Sequence, residues 1–376
     1  MRKLRTLIIA VVAAVAALSA AAALRRDAAE AGAPPAAVQV HGPVRVISNP
    51  AKSELLISVA NMALPACSDG VHAAYPLQVP VTGWLTGYEV VLTDRNGARL
   101  PHDLLHHLNL FAPAQPELFL PLMRRVVGAG TETGRVRMPP FLGYRMSAGD
   151  SLLLVVMLHN RHARDYGPAN VQLRLSYVPV DARIPRMAVV PFYLDVMMEP
   201  TPTRSFDVPP GQSVVVSWSG SPAVPGRILA LGGHVHEHAV ALRLEDVTVG
   251  EPIWETRPRL DSAGNLLAVS VRQFVTRLGV PVRPDHTYRI SVVYQNDTDE
   301  ITSGMGVIGG IFAPAKGSSW PGINRADSVY ARDRHYIVTG TVASSSQAST
   351  GYGSRGGAHT HAGVESAACP AEHVHR

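Results

Sequence analysis

The histidines of this chain fall into groups that a packed protein core does not require. The sequence contains 16 histidines among 376 residues. Imidazole is the commonest metal-binding side chain, so these groups are the candidate ligands of a metal site. The candidate histidines are His106-His107, His159 and His234-Val235-His236. One further candidate is Met305, which lies between two glycines.

The pair His234 and His236 is separated by one residue, as metal ligands on a strand often are. Residues i and i+2 of a strand lie on the same face, so both imidazoles can bind one ion. His238 continues that face and is a spare candidate. The preceding Gly232-Gly233 allows the backbone to bend or another group to approach closely.

The adjacent pair His106 and His107 is harder to use in a regular strand, because neighbouring side chains lie on opposite faces. Both can bind one ion only where the backbone departs from regular geometry. His159, which ends an apolar strand, would then be a third nitrogen ligand. The alternative is that one histidine of the pair is exposed and the other is buried and hydrogen-bonded.

A second hypothesis for this region is a zinc site. His102 and His106 have the i, i+4 spacing of the helical motif H-E-x-x-H, with Asp103 in place of the glutamate base. Such a site would indicate a zinc-dependent hydrolase. Against this hypothesis, residues 105–111 read as a strand.

The segments that must position these residues are short, and they are either apolar throughout or alternate between apolar and polar residues. Examples are 84–93, 151–159 and 171–180. No segment has a 3.6-residue apolar stripe over three turns, which indicates an all-β protein. Prolines 179, 185 and 191 interrupt the pattern. We therefore predict two antiparallel jelly-roll-like β-sandwich domains in tandem, at residues 38–180 and 186–320.

Composition excludes several classes of protein. With 46% hydrophobic and 17% charged residues, most of the chain has enough apolar material to fold. The net charge is +5, but no dense run of Lys and Arg suggests a nucleic-acid partner. Two cysteines exclude a disulfide scaffold and a Cys-rich zinc module.

The N-terminus has the pattern of an export signal. Basic residues precede an apolar run at 7–24, as in a secretory signal peptide. Its length also suits an uncleaved membrane anchor. Residues 1–37 are therefore interpreted as a leader or anchor plus an Ala/Pro linker, and the folded part as exported. Export makes a Cys67–Cys369 bridge a hypothesis, with two unpaired thiols as the alternative.

The C-terminal segment 321–376 is rich in Ser, Gly and Ala, and we expect it to be disordered. It contains two further H-x-H pairs, at 359–361 and 373–375. These histidines either capture metal or belong to a solvated polar tail.

In their order along the chain, the candidate ligands resemble those of the copper type II, ascorbate-dependent monooxygenases. This family includes the peptidylglycine α-hydroxylating and dopamine β-monooxygenases. Its first domain contains a His-His pair and a later strand-ending histidine, and its second domain contains H-x-H and a methionine about 70 residues later. The resemblance covers roughly residues 79–314, and this sequence fills all six ligand positions: His106, His107, His159, His234, His236 and Met305.

The resemblance implies two copper ions per chain, one in each domain, facing each other across a solvent-filled cleft. His106, His107 and His159 would hold the copper that stores an electron. The catalytic set His234, His236 and Met305 would hold the copper that meets dioxygen, because two imidazoles and a thioether favour Cu(I). The implied reaction is hydroxylation of a C–H bond in a small-molecule substrate, with O2 and ascorbate or another small reductant.

Several positions depart from the peptide-amidating members of this family. The residues that assist binding of the substrate carboxylate there are replaced here by Gly232, Val307 and Gly309, and a glutamine near the strand histidine by Met157. These replacements argue for an uncharged substrate. An exported copper-binding or copper-handling protein with the same fold and no hydroxylase activity is the main alternative, ahead of the zinc-dependent hydrolase and a structural sandwich.

Overall fold

The computed structural model describes residues 37–181, 187–198, 205–261, 266–274 and 278–340. The N-terminal leader, Cys369 and the two H-x-H pairs of the tail lie outside the described residues. The predictions about export, the Cys67–Cys369 bridge and metal capture by the tail therefore stay predictions. Within the described ranges, no helix combines the length and apolar character needed to cross a membrane.

The first half of the chain is built from strands and two short 3-10 turns, at Pro50–Lys52 and His102–Leu104. The strands are β1 (Ala37–His41), β2 (Val44–Asn49), β3 (Glu54–Met62), β4 (Ser68–Gln78), β5 (Gly83–Thr93), β6 (Leu105–Pro116), β7 (Met123–Gly130), β8 (Val136–Arg137), β9 (Leu142–Met146), β10 (Ser151–Asn160) and β11 (Ala169–Pro179).

The second half adds β12 (Met187–Ala188), β13 (Val190–Asp195), β14 (Phe206–Val208), β15 (Ser213–Gly220), β16 (Gly226–Val235), β17 (Ala239–Asp246), β18 (Glu251–Thr256), β19 (Arg259–Leu260), β20 (Leu266–Ala268), β21 (Arg272–Gln273), β22 (Val280–Val282), β23 (Tyr288–Gln295), β24 (Thr302–Gly304) and β25 (Gly306–Pro314). One helix of the described chain, α1, follows at Ser328–Thr339.

Two sheets form the first sandwich. One has the order β1-β2-β3-β11-β5-β9, with β8 beside β5 and β12 beside β9, and the other has the order β4-β10-β6-β7. Burial in β11 alternates along the strand, so every second side chain faces the other sheet. The core between the sheets includes Leu55, Ile57, Leu108 and Leu173, which are fully buried.

The second sandwich packs a sheet of order β13-β25-β16-β21, with β22 beside β16, against a sheet of order β15-β23-β17-β18. Its core includes Ile228, Leu242, Ile290 and Phe312, all fully buried. Neighbouring strands are antiparallel except for the short β9–β12 contact. The prediction of an all-β protein with two antiparallel jelly-roll-like sandwiches is confirmed.

The prediction that all of 321–376 is disordered is wrong for residues 328–339, which form α1. Asp327 accepts hydrogen bonds from the first amides of the helix, and Gly340 ends it in the left-handed conformation. Tyr330 and Ile337 pack on Phe111 and Val155, on the outer face of the β4-β10-β6-β7 sheet. Sequence missed the helix because its buried face contains few apolar residues and needs this sheet to pack against.

The β6–β7 connection links the two sandwiches. Leu118 and Phe119 leave the first sandwich and are buried in the core of the second. The Phe119 ring centroid lies 6.1 Å from that of Tyr288 and 6.4 Å from that of Trp218. The Ala223 amide also donates to the Leu118 carbonyl, at 2.7 Å. This packing joins the two sandwiches beyond the end of β6, whereas His106 and His107 lie at its start.

Candidate metal centre

Five of the six predicted ligands meet where the two sandwiches join, and we call them the histidine cluster: His106, His107, His159, His234 and His236. Ring centroids of neighbouring members lie 4.2 to 6.4 Å apart: His106–His107 4.2 Å, His107–His234 4.9 Å, His106–His159 5.0 Å, His234–His236 5.5 Å and His106–His236 6.4 Å. Residues from three separate parts of the sequence therefore form one group of imidazoles.

A β-bulge allows adjacent histidines to share the cluster. Along the β6–β10 ladder, His107 pairs with Met157 and Leu105 pairs with Leu158, so His106 is an extra residue on β6. Leu108 faces the core, so His107 projects from the opposite, outer face of the sheet. A bulge redirects the side chain of its extra residue. It supplies the irregular backbone that two adjacent ligands require.

The second sandwich contributes His234 at the end of β16 and His236 just beyond it. His234 pairs with Val307 on β25, and Val235 pairs with Gly306. Continuing this register places Met305 opposite His236, at the same end of the cluster. Val307 therefore shares the face that carries His234, and Met305 lies one residue before the start of β25.

The buried phenol of Tyr294 joins the backbones of His236 and Met305. The Tyr294 oxygen accepts hydrogen bonds from the His236 amide at 2.8 Å and the Met305 amide at 3.0 Å. It also donates to the Met305 carbonyl at 2.6 Å. Three hydrogen bonds to one side chain therefore fix two predicted ligands relative to each other.

Replacing Tyr294 with phenylalanine is expected to lower the free energy of unfolding by about 1–3 kcal/mol, because two backbone amides lose their acceptor. Urea unfolding of the full chain measures the change. The control is Tyr166→Phe, which removes one exposed hydrogen bond from Arg164 and should change stability by less than about 0.5 kcal/mol. Equal stability of Tyr294→Phe and the unaltered protein would show that the phenol does not hold this backbone.

Neighbouring oxygens fix the tautomers of three cluster members. Each imidazole donates one N–H to an acceptor outside the cluster and keeps a lone pair on its other nitrogen. The pairs are His234 Nδ1 to Glu132 Oε1 at 3.0 Å, His236 Nδ1 to the Ser303 carbonyl at 3.0 Å, and His159 Nε2 to the Asp103 carbonyl at 2.8 Å. The second-sandwich histidines therefore offer Nε2, and His159 offers Nδ1.

Burial keeps the imidazoles of His106, His107 and His236 uncharged at neutral pH. Burial, followed by the charge of His159, lowers the pKa of His106 to about 3. Burial, followed by the charge of His234, lowers the pKa of His236 to about 4. Burial also holds the pKa of His107 well below its usual value. Since a metal ion binds only unprotonated imidazole, these nitrogens are ready to bind one at neutral pH.

The donor set fits a copper ion. One nitrogen from each of His106, His107 and His236 lies within 4.8 Å of the other two. The buried His234 Nε2 has no hydrogen-bond partner among the described residues, and a bound ion would satisfy this nitrogen. Imidazole ligands suit both copper and zinc, and a thioether ligand, the role predicted for Met305, would favour copper.

The resemblance implied a solvent-filled gap between two separate ligand sets. In the described part of the chain, no such gap separates His107 from His234. The rings of His107 and His234, from different sandwiches, are only 4.9 Å apart. A hydrogen bond from His234 Nδ1 to Glu132 Oε1, at 3.0 Å, joins the two sandwiches beside these rings. The two predicted ligand sets therefore form one continuous cluster.

The helical zinc motif is wrong. The 3-10 turn at His102–Leu104 ends before His106, which lies in β6. His102 donates from Nε2 to the Thr133 carbonyl at 3.1 Å instead. The spacing of His102 and His106 would place them on one side of a helix, and this helix does not form because the apolar strand begins at Leu105.

His238 does not extend the H-x-H face. It has a φ of 68° in the turn between β16 and β17, so the regular strand alternation has already ended. The two glycines beside Met305 are explained by packing. A Cβ on Gly304 would lie 2.3 Å from the Phe206 ring, and one on Gly306 would lie 2.7 Å from Val292. Both glycines are needed for core packing.

Sequence reasoning missed Glu132 and Tyr294. Tyr294 looks like an ordinary core residue in an alternating strand, and Glu132 lies in a polar turn after β7. Burial by itself would raise the pKa of Glu132, but the hydrogen bond and charge of His234 outweigh it, so the pKa falls below its usual value. Only the folded structure brings these residues to the cluster.

No protein-family model matches this sequence, and no curated protein matches it. Solved structures with some similarity include PNGase F, a glycosylasparaginase from Flavobacterium meningosepticum, with 10% identity, a TM-score of 0.35, and 69% of this chain and 96% of that chain covered. Another is the Sulfolobus turreted icosahedral virus, with 11% identity, a TM-score of 0.31, and coverage of 76% and 96%. At these values the function has to be inferred from the site itself.

Proposed function

We propose that this protein is an exported, copper-dependent monooxygenase that hydroxylates a C–H bond of a small, uncharged organic substrate. One oxygen atom of O2 would enter the C–H bond and the other would leave as water, with two electrons and two protons supplied from outside. Ascorbate or another small reductant is the electron source. The observation that carries this proposal is the convergence of five sequence-predicted ligands on one cluster.

In this proposal, His106, His107 and His159 hold one copper ion, and His234, His236 and Met305 hold the other. Bound copper would supply the one-electron chemistry and the position at which dioxygen is activated. The protein orients the ligand nitrogens: Ser303 and Asp103 accept hydrogen bonds that fix His236 and His159. Tyr294 holds the Met305 backbone beside His236.

The surface beside His234 supports an uncharged substrate. Gly232 pairs with Gly309 on the face of β16 and β25 that carries His234 and Val307. A Cβ at Gly309 would meet nothing within 4 Å, so the space above it is open. No charged side chain occurs at 228–235 or 306–314. A substrate carboxylate would therefore find no cation on these strand segments; the Arg125 guanidinium, 3.7 Å from the ring of Tyr193 opposite Gly309, belongs to the first sandwich.

A copper-binding or copper-handling protein without hydroxylase activity is the second candidate. The observation in its favour is the direct contact between the His107 and His234 rings. Such contact suits retention of metal by a closed group of ligands. It leaves little room between the two ligand sets for a substrate.

Metal analysis combined with oxygen uptake distinguishes these functions. The purified full chain, loaded with copper and dialysed, is expected to retain two copper ions. With ascorbate and a panel of aliphatic and aromatic compounds, it should consume oxygen and transfer one 18O atom from 18O2 to the product. Two bound copper ions without uptake would favour the copper-handling protein, and preferential retention of zinc would contradict both candidates.

A further inference from the structure

The Glu132 carboxylate reaches from the first sandwich to a predicted ligand of the second. Glu132 lies in the turn between β7 and β8, and its Oε1 accepts a hydrogen bond from His234 Nδ1 at 3.0 Å. The Glu132 side chain is only 8% exposed and that of His234 is 18% exposed. A contact this well shielded from water is stronger than a surface pair.

The backbone around Glu132 is arranged to hold its carboxylate at the cluster. Gly130 pairs with His107 across the β6–β7 ladder. A Cβ on Gly130 would lie 2.8 Å from Glu132 Oε2, so the carboxylate occupies the space that a side chain would fill. Thr131 donates to the Leu105 carbonyl at 2.8 Å, and the Gly130 amide donates to Thr133 Oγ1 at 3.0 Å. These bonds fix the turn against the start of β6.

The hydrogen bond from His234 has a consequence for metal binding. Because a carboxylate only accepts, Nδ1 carries the proton and the lone pair lies on Nε2. That Nε2 is buried without a partner among the described residues. Outer partners of this kind set the orientation and tautomer of a ligand histidine.

We propose that Glu132 is a positioning residue for metal binding, which fixes the ring of His234 from the opposite sandwich. This inference rests on the proposed copper binding at the cluster. It means that a predicted ligand of the second sandwich, His234, is oriented by a residue of the first. Metal affinity there therefore depends on how closely the two sandwiches are joined.

Two variants of the full chain test this role, Glu132→Ala and Glu132→Gln. The alanine variant is expected to bind one of its two copper ions about 10–100-fold more weakly, which is the usual effect of losing such a partner. The Cu(II) EPR spectrum of that ion should change. Gln keeps an oxygen acceptor, so Glu132→Gln should recover most of the affinity.

Nitrogen NMR of the metal-free protein separates this inference from the proposed function. The unaltered chain should hold His234 as the Nδ1–H tautomer, and Glu132→Ala should give a mixture of tautomers. If the unaltered protein binds no copper, the proposed function is contradicted, and so is the role of Glu132 in metal binding. If it binds copper and Glu132→Ala keeps the same affinity, spectrum and tautomer, only the role of Glu132 is overturned.

The matched control is Glu237→Gln, because Glu237 also contacts the other sandwich near the cluster. It lies 4.0 Å from Arg161 in an exposed ion pair, and its removal should leave copper affinity unchanged. Should Glu132→Ala fail to fold, Gly130→Ala displaces the carboxylate without removing it and is expected to give the same loss. If Gly130→Ala binds copper as tightly as the unaltered protein, the proposal is contradicted. It is also contradicted if Glu132→Gln loses as much copper affinity as Gly130→Ala.

Discussion

Replacing His107 with alanine is expected to remove one copper ion from the protein and to weaken binding at that site more than about a hundredfold. The loss of an outer hydrogen-bonding partner costs up to about that much, and a direct ligand should cost more. The His107 ring contacts those of His106 and His234, at 4.2 and 4.9 Å. Metal analysis after dialysis against a weak chelator measures the loss.

The control for this variant is His286→Ala. The His286 side chain is 19% exposed and hydrogen-bonded to Asp246, far from the cluster in sequence. Removing it tests whether loss of any half-buried imidazole reduces copper content through stability alone. Two copper ions retained by His107→Ala would show that this residue is not a ligand.

Replacing Met305 with leucine should give the second large effect. Leucine keeps the volume of the side chain and removes its sulfur, at a stability cost below about 1.5 kcal/mol. A thioether favours Cu(I), so affinity for Cu(I) should fall more than affinity for Cu(II). Each tenfold difference lowers the reduction potential by about 59 mV. Hydroxylation should fall about a hundredfold, equivalent to about 2.7 kcal/mol.

Competition with a Cu(I)-specific chelator and a redox titration provide the measurements for Met305→Leu. The control is Met123→Leu, which makes the same change at a methionine buried beneath α1. Met123→Leu should leave both copper affinities unchanged. An equal loss of Cu(I) and Cu(II) affinity in Met305→Leu would indicate altered packing and remove the sulfur from the site.

Sequence predicted the sandwiches and the histidines that meet in the cluster, because both depend on local patterns. The alternation in β11 fixes which side chains face the core, and strand spacing places His234 and His236 on one side. The role of Glu132 could not be predicted, since it depends on a turn of one sandwich meeting a strand of the other.

Two further features depend on contacts that no local pattern reveals. The bulge at His106 is a mismatch between two strands, so it is invisible in either strand alone. The helix α1 forms against the outer face of β10, where Val155 is buried. In each case the partner that decides the geometry is distant in sequence.

The burial of Leu118 and Phe119 in the second sandwich has a consequence for how far the two sandwiches can separate. A hinge motion that separated the sandwiches would return both side chains to water, at about 1.5–3 kcal/mol each. At 1.4 kcal/mol per tenfold, the opened form would make up less than about one molecule in a hundred. Complete separation of the two sandwiches is therefore disfavoured, and in the proposed function a substrate would have to reach the cluster without it.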